Sequence, residues 1–257
     1  MRQVMLIVGA GPGLGRTLAI EAARRGWNVA LVARRRQTLE DTARLVENAG
    51  GAALVLPGDA TDSDTMAAIA GQVMARWGRI DSLVHSLLPP HLFRRVLAMD
   101  RDELAAWCRS VEISAFGALL AAYHVAPHMV AARHGALVFV TATSGLQSYP
   151  SISSHAVGKA AIHALMQSLA SELGDHGVRA NAVAVGSIDG ATKRALPAFD
   201  DQQVATDMGR AGEQSQGALG RLINEREATE AILFLASEAS SGMTGQIMVV
   251  DGGKIFH

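Results

Sequence analysis

The sequence predicts an α/β fold in which a parallel sheet of about seven strands carries helices on both faces. Short runs rich in Val, Leu and Ile recur along the chain, and they are apolar throughout rather than alternating with polar residues. Longer stretches with helical periodicity separate these runs. Strands that are apolar on both sides are buried on both sides, as in a parallel sheet, and right-handed crossovers then give a doubly wound arrangement. The chain has 257 residues, of which 49% are hydrophobic, so it can bury a large core.

Seven apolar runs define the predicted strands. Their cores read VMLIV, VALVA, ALVL, SLVH, ALVFV, VRANAVA and IMVV. These strands are predicted near residues 3–8, 28–33, 52–56, 81–85, 135–141, 178–184 and 246–250. Each run is four to eight residues long or close to it, which is the usual length of a strand in a parallel sheet.

Helical patterns fill most of the intervals between the strands. They are predicted near residues 14–25, 38–49, 63–77, 101–132, 153–174 and 226–237. Because no linker, repeat or low-complexity tract interrupts the alternation, residues 1–257 are predicted to form one domain. Only residues 186–219 break the rhythm, since they are polar, glycine-rich and weakly patterned. A connection of that length inside a compact domain is more often functional than passive, and we interpret it as a substrate-binding lid.

The composition argues against several classes of protein. The formal net charge is −1, and the densest basic run, residues 34–36, is too short to bind a nucleic acid. The single cysteine, Cys108, cannot form an internal disulfide, which fits a reducing compartment. The N-terminal apolar run is too short for a signal peptide or a membrane span. We therefore expect a cytoplasmic protein that acts on a small molecule, with no nucleic-acid, membrane or metal partner.

The segment VGAGPGLGR links the first strand to the first helix and resembles a phosphate-binding loop. Gly9 permits a tight turn, Gly13 lets the backbone approach a pyrophosphate, and Gly15 lets the helix pack closely on the strand. Leu14 opens the helix, whose N-terminus offers N–H groups and a partial positive charge to an anion. This context predicts a dinucleotide site.

The end of the second strand indicates which dinucleotide binds. In this position an acidic side chain would hold the ribose 2′-hydroxyl of NAD, but the sequence has Arg34 there, followed by Arg35. A guanidinium group is planar and suits a 2′-phosphate. The cofactor is therefore predicted to be NADP.

These segments together resemble the short-chain dehydrogenase/reductase family over nearly the whole chain. The segment GDATD, with Asp59 and Ala60, is similar to the family's adenine-contacting segment. The segment VRANAVAVGSI, which includes Gly186, is similar to the strand and turn that reach the nicotinamide, although Val185 stands where proline is usual. The C-terminal segment, residues 218–253, also matches. The resemblance implies a Rossmann fold and a nicotinamide dinucleotide site. The residues predicted to bind the cofactor are Gly9, Gly13, Leu14, Gly15, Arg34, Arg35, Asp59, Ala60, Ser86, Lys159, Gly186 and Ile188.

The catalytic positions depart from the family pattern. Lys159 occupies the family's lysine position, but His155 stands where the tyrosine belongs and Ala142 where the serine belongs. The family's asparagine position falls on Ser114. The strand-end motif that is usually Asn-Asn-Ala-Gly is replaced by residues 85–88, His-Ser-Leu-Leu.

Two segments are similar to the enoyl-acyl-carrier-protein reductase branch of the family, namely VHSLLPP and EISAF. That branch places its tyrosine seven residues before the lysine, where this chain has Ile152. Tyr149 lies ten residues before the lysine and matches neither spacing.

His155 is therefore the candidate proton donor, because a histidine with an ordinary pKa of about 6.5 suits proton transfer near neutral pH. Ser144 lies two residues after the missing serine and would share its face if the strand stays extended, so it is a candidate substitute hydroxyl. The residues predicted to be catalytic are His155, Lys159, Ser144 and Ser114.

Three functions remain open from the sequence. The first is an NADPH-dependent oxidoreductase that acts on a small apolar carbonyl, alcohol or enone. The second is a dinucleotide-binding pseudoenzyme in which His155 only fills space, and the third is a lyase or isomerase without net redox change. The resemblance also implies a homodimer or homotetramer. Small residues on the fifth helix, Ala156, Ala160 and Ala164, would permit another helix to approach closely.

Overall fold

The computed structural model describes residues 2–90, 92–190, 201–213 and 216–256, and it contains a seven-stranded sheet. The strand order is β3-β2-β1-β4-β5-β6-β7, and every neighbouring pair is parallel. The strands are β1 Val4–Val8, β2 Asn28–Ala33, β3 Ala53–Pro57, β4 Ser82–His85, β5 Gly135–Ala142, β6 Val178–Val185 and β7 Ile247–Val250. The predicted doubly wound fold is confirmed, and each predicted strand lies within one residue of its observed bounds at either end.

Seven α-helices connect or follow the strands in the described part of the chain. They are α1 Leu14–Arg24, α2 Arg36–Asn48, α3 Ser63–Trp77, α4 Arg101–Ala132, α5 Ser153–Leu173, α6 Gln202–Glu213 and α7 Glu225–Ala236. Local sequence signals set several of the ends. Asp100 and Glu103 form a capping box at the start of α4, and Gly78 ends α3 in the left-handed conformation with φ 70°.

Helix α6 was not predicted, because its residues carry few large apolar side chains. It lies within the segment 186–219 that was interpreted as a lid, and residues 191–200 and 214–215 of that segment lie outside the described residues. Helix α4 is the one helix in the described ranges that is long and apolar enough to span a membrane. Half of its most apolar window is buried inside the protein, as expected for a core helix.

The hydrophobic core lies in two layers, one on each face of the sheet. Along β1 the residues alternate between the layers: Leu6 packs in the layer under α3, α4 and α5, whereas Met5 and Ile7 pack in the layer under α1, α2 and α7. All five residues of β1 are fully buried. This burial on both faces explains why the predicted strands are apolar throughout.

The strand order places a crevice at the carboxyl edge of the sheet. The chain leaves β1 toward β2 on one side, whereas β4 pairs with β1 on the other side. Loops that follow β1 and β4 therefore diverge at this point, which is where open α/β sheets bind their ligands.

Candidate active site

A cavity of about 1030 Å³ lies at the carboxyl edge of the sheet. The loops after β1 to β6 and helix α6 line it. Of the predicted site residues, all but Gly13 and Ser114 line this cavity. The structure therefore brings together residues that are up to 179 positions apart in the chain, from Gly9 to Ile188.

The glycine loop after β1 leaves no room for side chains. Gly9 has φ +102°, and a Cβ atom there would lie 2.5 Å from the carbonyl oxygen of Ser86. A Cβ atom at Gly15 would lie 2.1 Å from the carbonyl oxygen of Gly9. Gly13 caps α1 without a side-chain hydrogen bond, so no capping side chain occupies the first-turn N–H groups. The loop thus has the close backbone approach and the helix N-terminus that a dinucleotide pyrophosphate requires.

The end of the cavity beside β2 is basic. Arg34 and Arg35 line it and are exposed, and their side chains make no hydrogen bond or ion pair with any residue that the structure describes. Asp59 lies nearby and accepts hydrogen bonds from the backbone N–H and the hydroxyl of Thr61, at 2.9 and 2.8 Å. These bonds, helped by the positive charges of Arg109 and Arg34, hold the pKa of Asp59 below its usual value. Two guanidinium groups thus remain available for a ligand anion at this end.

Lys159 is buried at the centre of the site. Its ammonium group donates to the carbonyl oxygens of Leu87 and Val140, both at 3.1 Å. The lysine is 3% exposed, and burial lowers its pKa from 10.5 to about 8. Two of its three N–H groups are used in this way, which leaves one for a ligand.

Two histidines, His85 and His163, lie near Lys159, and both are neutral at pH 7. Burial, followed by the charge of Lys159, lowers the pKa of His85 to about 3 and that of His163 to about 4. The Nε2 atom of His163 lies 2.7 Å from the hydroxyl of Thr141, which itself donates to the carbonyl oxygen of Val183. His163 must therefore carry its proton on Nε2. Lys159 is consequently the sole positive charge among these three groups.

His155 and Ser144 line the cavity beside Lys159. His155 lies one helical turn before Lys159 on α5 and is half-buried. Ser144 is 4% exposed, and its hydroxyl has no hydrogen-bond partner among the described residues. Ser144 was predicted to share a face with residue 142 if the strand stays extended. The strand does not stay extended, because β5 ends at Ala142 and Thr143–Gly145 form a turn of 3₁₀-helix. Ser144 reaches the cavity through this turn and not through strand alternation.

The structure does not bring Ser114 to the cavity. This residue is fully buried in α4 and faces α5, where a Cβ atom at Gly158 would lie 2.8 Å from its side chain. Its hydroxyl has no hydrogen-bond partner in the described part of the chain. Ser114 was predicted to be catalytic, but its side chain does not line the cavity, because this small residue packs between two closely spaced helices.

The remaining part of the cavity is largely apolar. Its lining includes Leu88, Pro89, Pro90, Phe93, Tyr149, Ile152, Met208 and Ala211.

Met208 and Ala211 belong to α6, and ion pairs hold this helix against the loop after β4. Asp207 accepts from Arg95 at 2.7 and 2.9 Å and from Ser151 at 2.7 Å, and Arg94 pairs with Asp201. Asp207 is 5% exposed, and these bonds, with Arg95 first, hold its pKa well below the usual range.

Comparison with known proteins identifies the family. The family model described as Enoyl-(Acyl carrier protein) reductase matches residues 9–254. The chain is 34% identical to cis-4-hydroxycyclohexanecarboxylate dehydrogenase of Sinomonas cyclohexanicum over 98% of this chain and 96% of that protein. It is 30% identical to L-rhamnose 1-dehydrogenase (NAD(P)(+)) of a Sphingomonas strain, over 98% and 95%. The chain belongs to the short-chain dehydrogenase/reductase family.

A solved member of this family has the same fold. The crystal structure of a short-chain type dehydrogenase/reductase from Mycobacterium marinum superposes with a TM-score of 0.85 at 29% identity and covers 98% of this chain and 95% of its own. Members of this family are oxidoreductases that use a nicotinamide dinucleotide and act on small molecules.

Sequence reasoning missed several residues that line this short-chain dehydrogenase/reductase site. The sequence pattern assigns Tyr149 no role, because its spacing from Lys159 matches neither arrangement of tyrosine and lysine. Arg109 was not singled out, although it lies on α4 one turn before Ile113, which also lines the cavity. Phe93 and Met208 carried no signal, since both belong to segments without a motif.

The pKa of Lys159 makes a testable prediction about stability. The folded state releases this proton near pH 8 and the unfolded state near 10.5. Between these values the unfolded state binds more protons, so the contribution of Lys159 to stability rises with pH. The free energy of unfolding of the wild type minus that of Lys159→Met should be flat below about pH 8 and should increase from pH 8 to 10.

Urea unfolding of both proteins across this range measures the difference, and other titrating groups cancel in it. A difference that stays constant from pH 7 to 10 would contradict the lowered pKa of Lys159.

Proposed function

We propose that the protein is an NADPH-dependent reductase of a small, apolar carbonyl compound, with His155 as the proton donor. One observation carries the proposal: a single cavity contains the glycine loop, the free guanidinium groups of Arg34 and Arg35, and His155. A dinucleotide that extends from the basic end along this cavity would place its reactive end near His155 and Lys159. We also propose that residues 1–257 act as one cytoplasmic domain, with residues 186–219 as the lid.

The preference for NADP is supported by charge. Arg34 and Arg35 have no partner among the described side chains, and the carboxylate of Asp59 is already occupied by Thr61. A 2′-phosphate would neutralise the two guanidinium groups, whereas a ribose hydroxyl would not. When bound, the reduced cofactor supplies the hydride.

The roles of the protein side chains follow from their positions. Lys159 is anchored by two backbone carbonyls and would hold the nicotinamide ribose with its third N–H group. Ser144 has a buried hydroxyl without a partner, which would donate to the substrate carbonyl. His155 would then supply the proton. An imidazole nitrogen lies about 4.5 Å from its Cα atom and a tyrosine hydroxyl about 6.5 Å, so the substrate would sit deeper than it does with a tyrosine.

The substrate class is proposed from the lining and from one relative. The apolar side chains around Phe93, Ile152 and Met208 favour a hydrocarbon body. A relative that is named as a dehydrogenase of cis-4-hydroxycyclohexanecarboxylate supports a small ring that carries an alcohol or a ketone. A pseudoenzyme or a non-redox lyase would show no oxidation of NADPH with any member of a ketone, aldehyde and enone panel.

Changing the charge at residue 34 should change the cofactor preference. Arg34→Asp removes one guanidinium group and repels a 2′-phosphate. Since a hydrogen bond to a charged group contributes about 1.5–3 kcal/mol, NADP⁺ affinity should fall by about 10- to 100-fold while NAD⁺ affinity changes little. Titration of both dinucleotides by fluorescence or calorimetry measures the ratio. Arg36→Asp is the matched control, because Arg36 pairs with Glu40 and does not line the cavity.

The wild-type preference is the decisive reference. NAD⁺ that binds the unmodified protein as tightly as NADP⁺ would overturn the assignment.

Removal of the imidazole should abolish turnover but not cofactor binding. His155→Ala should lower kcat for NADPH-dependent reduction by about 10²- to 10⁴-fold, the usual contribution of a general acid, because the proposed proton donor is removed. The dissociation constant of NADPH should change little, because Lys159 and the arginines remain. His176→Ala, an exposed histidine, is the control.

A double variant tests the assignment from the other direction. His155→Tyr restores the family pair with Lys159, and Ala142→Ser restores the missing hydroxyl. The activity that is lost in His155→Ala should therefore return only in the protein that carries both His155→Tyr and Ala142→Ser. If His155→Ala turns over at the wild-type rate, His155 fills space and is not the donor.

The assembly is proposed to be a homodimer or a homotetramer. Exposed apolar side chains lie on α4 at Phe116, Leu119 and Tyr123, spaced for one helical face, and on α5 at Val157. Of the small residues considered, Ala160 and Ala164 are exposed, but Ala156 is 6% exposed and packs inside.

Sedimentation at micromolar concentration should therefore give a dimer or a tetramer. Replacing Tyr123 by Glu should shift the distribution toward the monomer, because it would bury a charge in this face. A monomeric wild-type protein would refute the proposal.

A further inference from the structure

Helix α4 contributes two side chains to the wall of the cavity, Arg109 and Ile113, which lie one helical turn apart. The loop after β3 lines the same cavity with Asp59 and Ala60. By resemblance, this loop belongs to the segment that contacts the adenine of a dinucleotide. The adenine end of the cavity therefore has a wall that comes from α4, in addition to the ends of β2 and β3.

Two contacts fix the guanidinium group of Arg109 beside the loop after β3. Its Nη2 atom donates to the hydroxyl of Thr61 at 3.4 Å, and its Nη1 atom lies 2.7 Å from the carboxylate of Glu112. The charge of Arg109 also acts on Asp59, whose pKa is lowered first by hydrogen bonds from Thr61 and then by this charge. The N–H bonds of a guanidinium group lie in its plane, so these contacts use its edge and leave its two faces open.

Arg109 differs in this respect from the other two arginines at this end of the cavity. The side chains of Arg34 and Arg35 make no ion pair with any described residue, whereas Arg109 pairs with Glu112. A guanidinium group that already faces a carboxylate attracts a further anion less strongly. Its planar face can still stack on a flat aromatic system, and arginine makes such contacts with nucleic-acid bases.

We propose that Arg109 stacks its guanidinium plane on the adenine ring of the bound dinucleotide, and so holds the adenosine half of NAD and NADP alike. The inference rests on the dinucleotide site of the proposed function and adds a contact that does not depend on the 2′-phosphate. Different arginines then have different tasks. Arg34 and Arg35 select between the two cofactors, whereas Arg109 raises the affinity for both.

Three variants of Arg109 separate the planar face from the positive charge. Arg109→Ala removes both and should weaken NAD⁺ and NADP⁺ binding by the same factor, about 5- to 50-fold, because stacking on one base contributes on that scale. Arg109→Lys keeps the charge without the plane and should bind both dinucleotides about as weakly as Arg109→Ala. Arg109→Tyr supplies a plane without the charge and should stay within about threefold of the wild type. Calorimetric titration of both dinucleotides measures these affinities without turnover.

The control variant is Arg101→Ala, which removes an exposed arginine from the start of α4, away from the cavity lining. It should leave both affinities unchanged. The ion pair between Arg109 and Glu112 is exposed, and such pairs contribute little to stability, so the variants of Arg109 should fold. Circular dichroism and thermal unfolding check this for each variant.

Three results would overturn the role of Arg109. The first is an unchanged affinity of Arg109→Ala for both dinucleotides. The second is a loss confined to NADP⁺, which would assign this arginine to the 2′-phosphate. The third is wild-type affinity in Arg109→Lys together with a loss in Arg109→Tyr, which would show that the charge acts and not the plane.

Failure of the proposed function would look different. If the reductase proposal is wrong, no carbonyl compound in the panel oxidises NADPH, whereas Arg109→Ala still weakens the binding of both dinucleotides. If the preference for NADP is wrong, the wild type binds NAD⁺ and NADP⁺ equally, and Arg109→Ala again weakens both. If only the role of Arg109 is wrong, Arg34→Asp still changes the ratio of the two affinities.

Discussion

The buried ammonium group of Lys159 is the interaction on which the geometry of the site depends. It joins helix α5 to the carbonyl of Val140 in β5 and to the carbonyl of Leu87 after β4. A cation in this position must have oxygen partners, because burial without them is costly. The two carbonyls therefore fix how far α5 lies from the sheet edge, and they also fix the position of His155 one turn earlier. The neighbouring imidazoles of His85 and His163 stay neutral, so Lys159 does not compete with a second positive charge.

The second constraint is the set of ion pairs that fix helix α6. Asp207 accepts hydrogen bonds from both Arg95 and Ser151, and Arg94 forms an ion pair with Asp201. Ser151 precedes α5 by two residues, so the same carboxylate connects α6 to the start of the helix that carries His155 and Lys159. The apolar side chains of Met208 and Ala211 are thereby held against the cavity. Helix α6 and the start of the helix that carries the candidate proton donor thus share one polar anchor.

The departures from the family pattern form a consistent set. At the positions where the resemblance places the family's tyrosine and serine, this chain has His155 and Ala142, and the cavity is lined by His155, Ser144 and Lys159. Ser114, at the position where the resemblance places the family's asparagine, packs against Gly158 between α4 and α5 and does not line the cavity. A site that keeps the cofactor loop and the lysine, and changes the residues facing the substrate, fits a changed substrate better than a lost cofactor.

The sequence alone determined the sheet, every described α-helix except α6, and the glycine-rich loop, because these depend on local patterns. Buried parallel strands are apolar on both faces, as in β1, and glycines are required where Gly9 and Gly15 meet other backbone atoms. The pattern also predicted His155, Lys159, Arg34 and Arg35 as site residues, and all four line the cavity. The sequence could not predict α6, whose order depends on ion pairs with Arg94 and Arg95, more than 100 residues away. It also could not place Tyr149 and Lys254 together, since their contact joins a loop before α5 to a turn after β7. Contacts of this kind follow from how the elements pack, and no local periodicity encodes them.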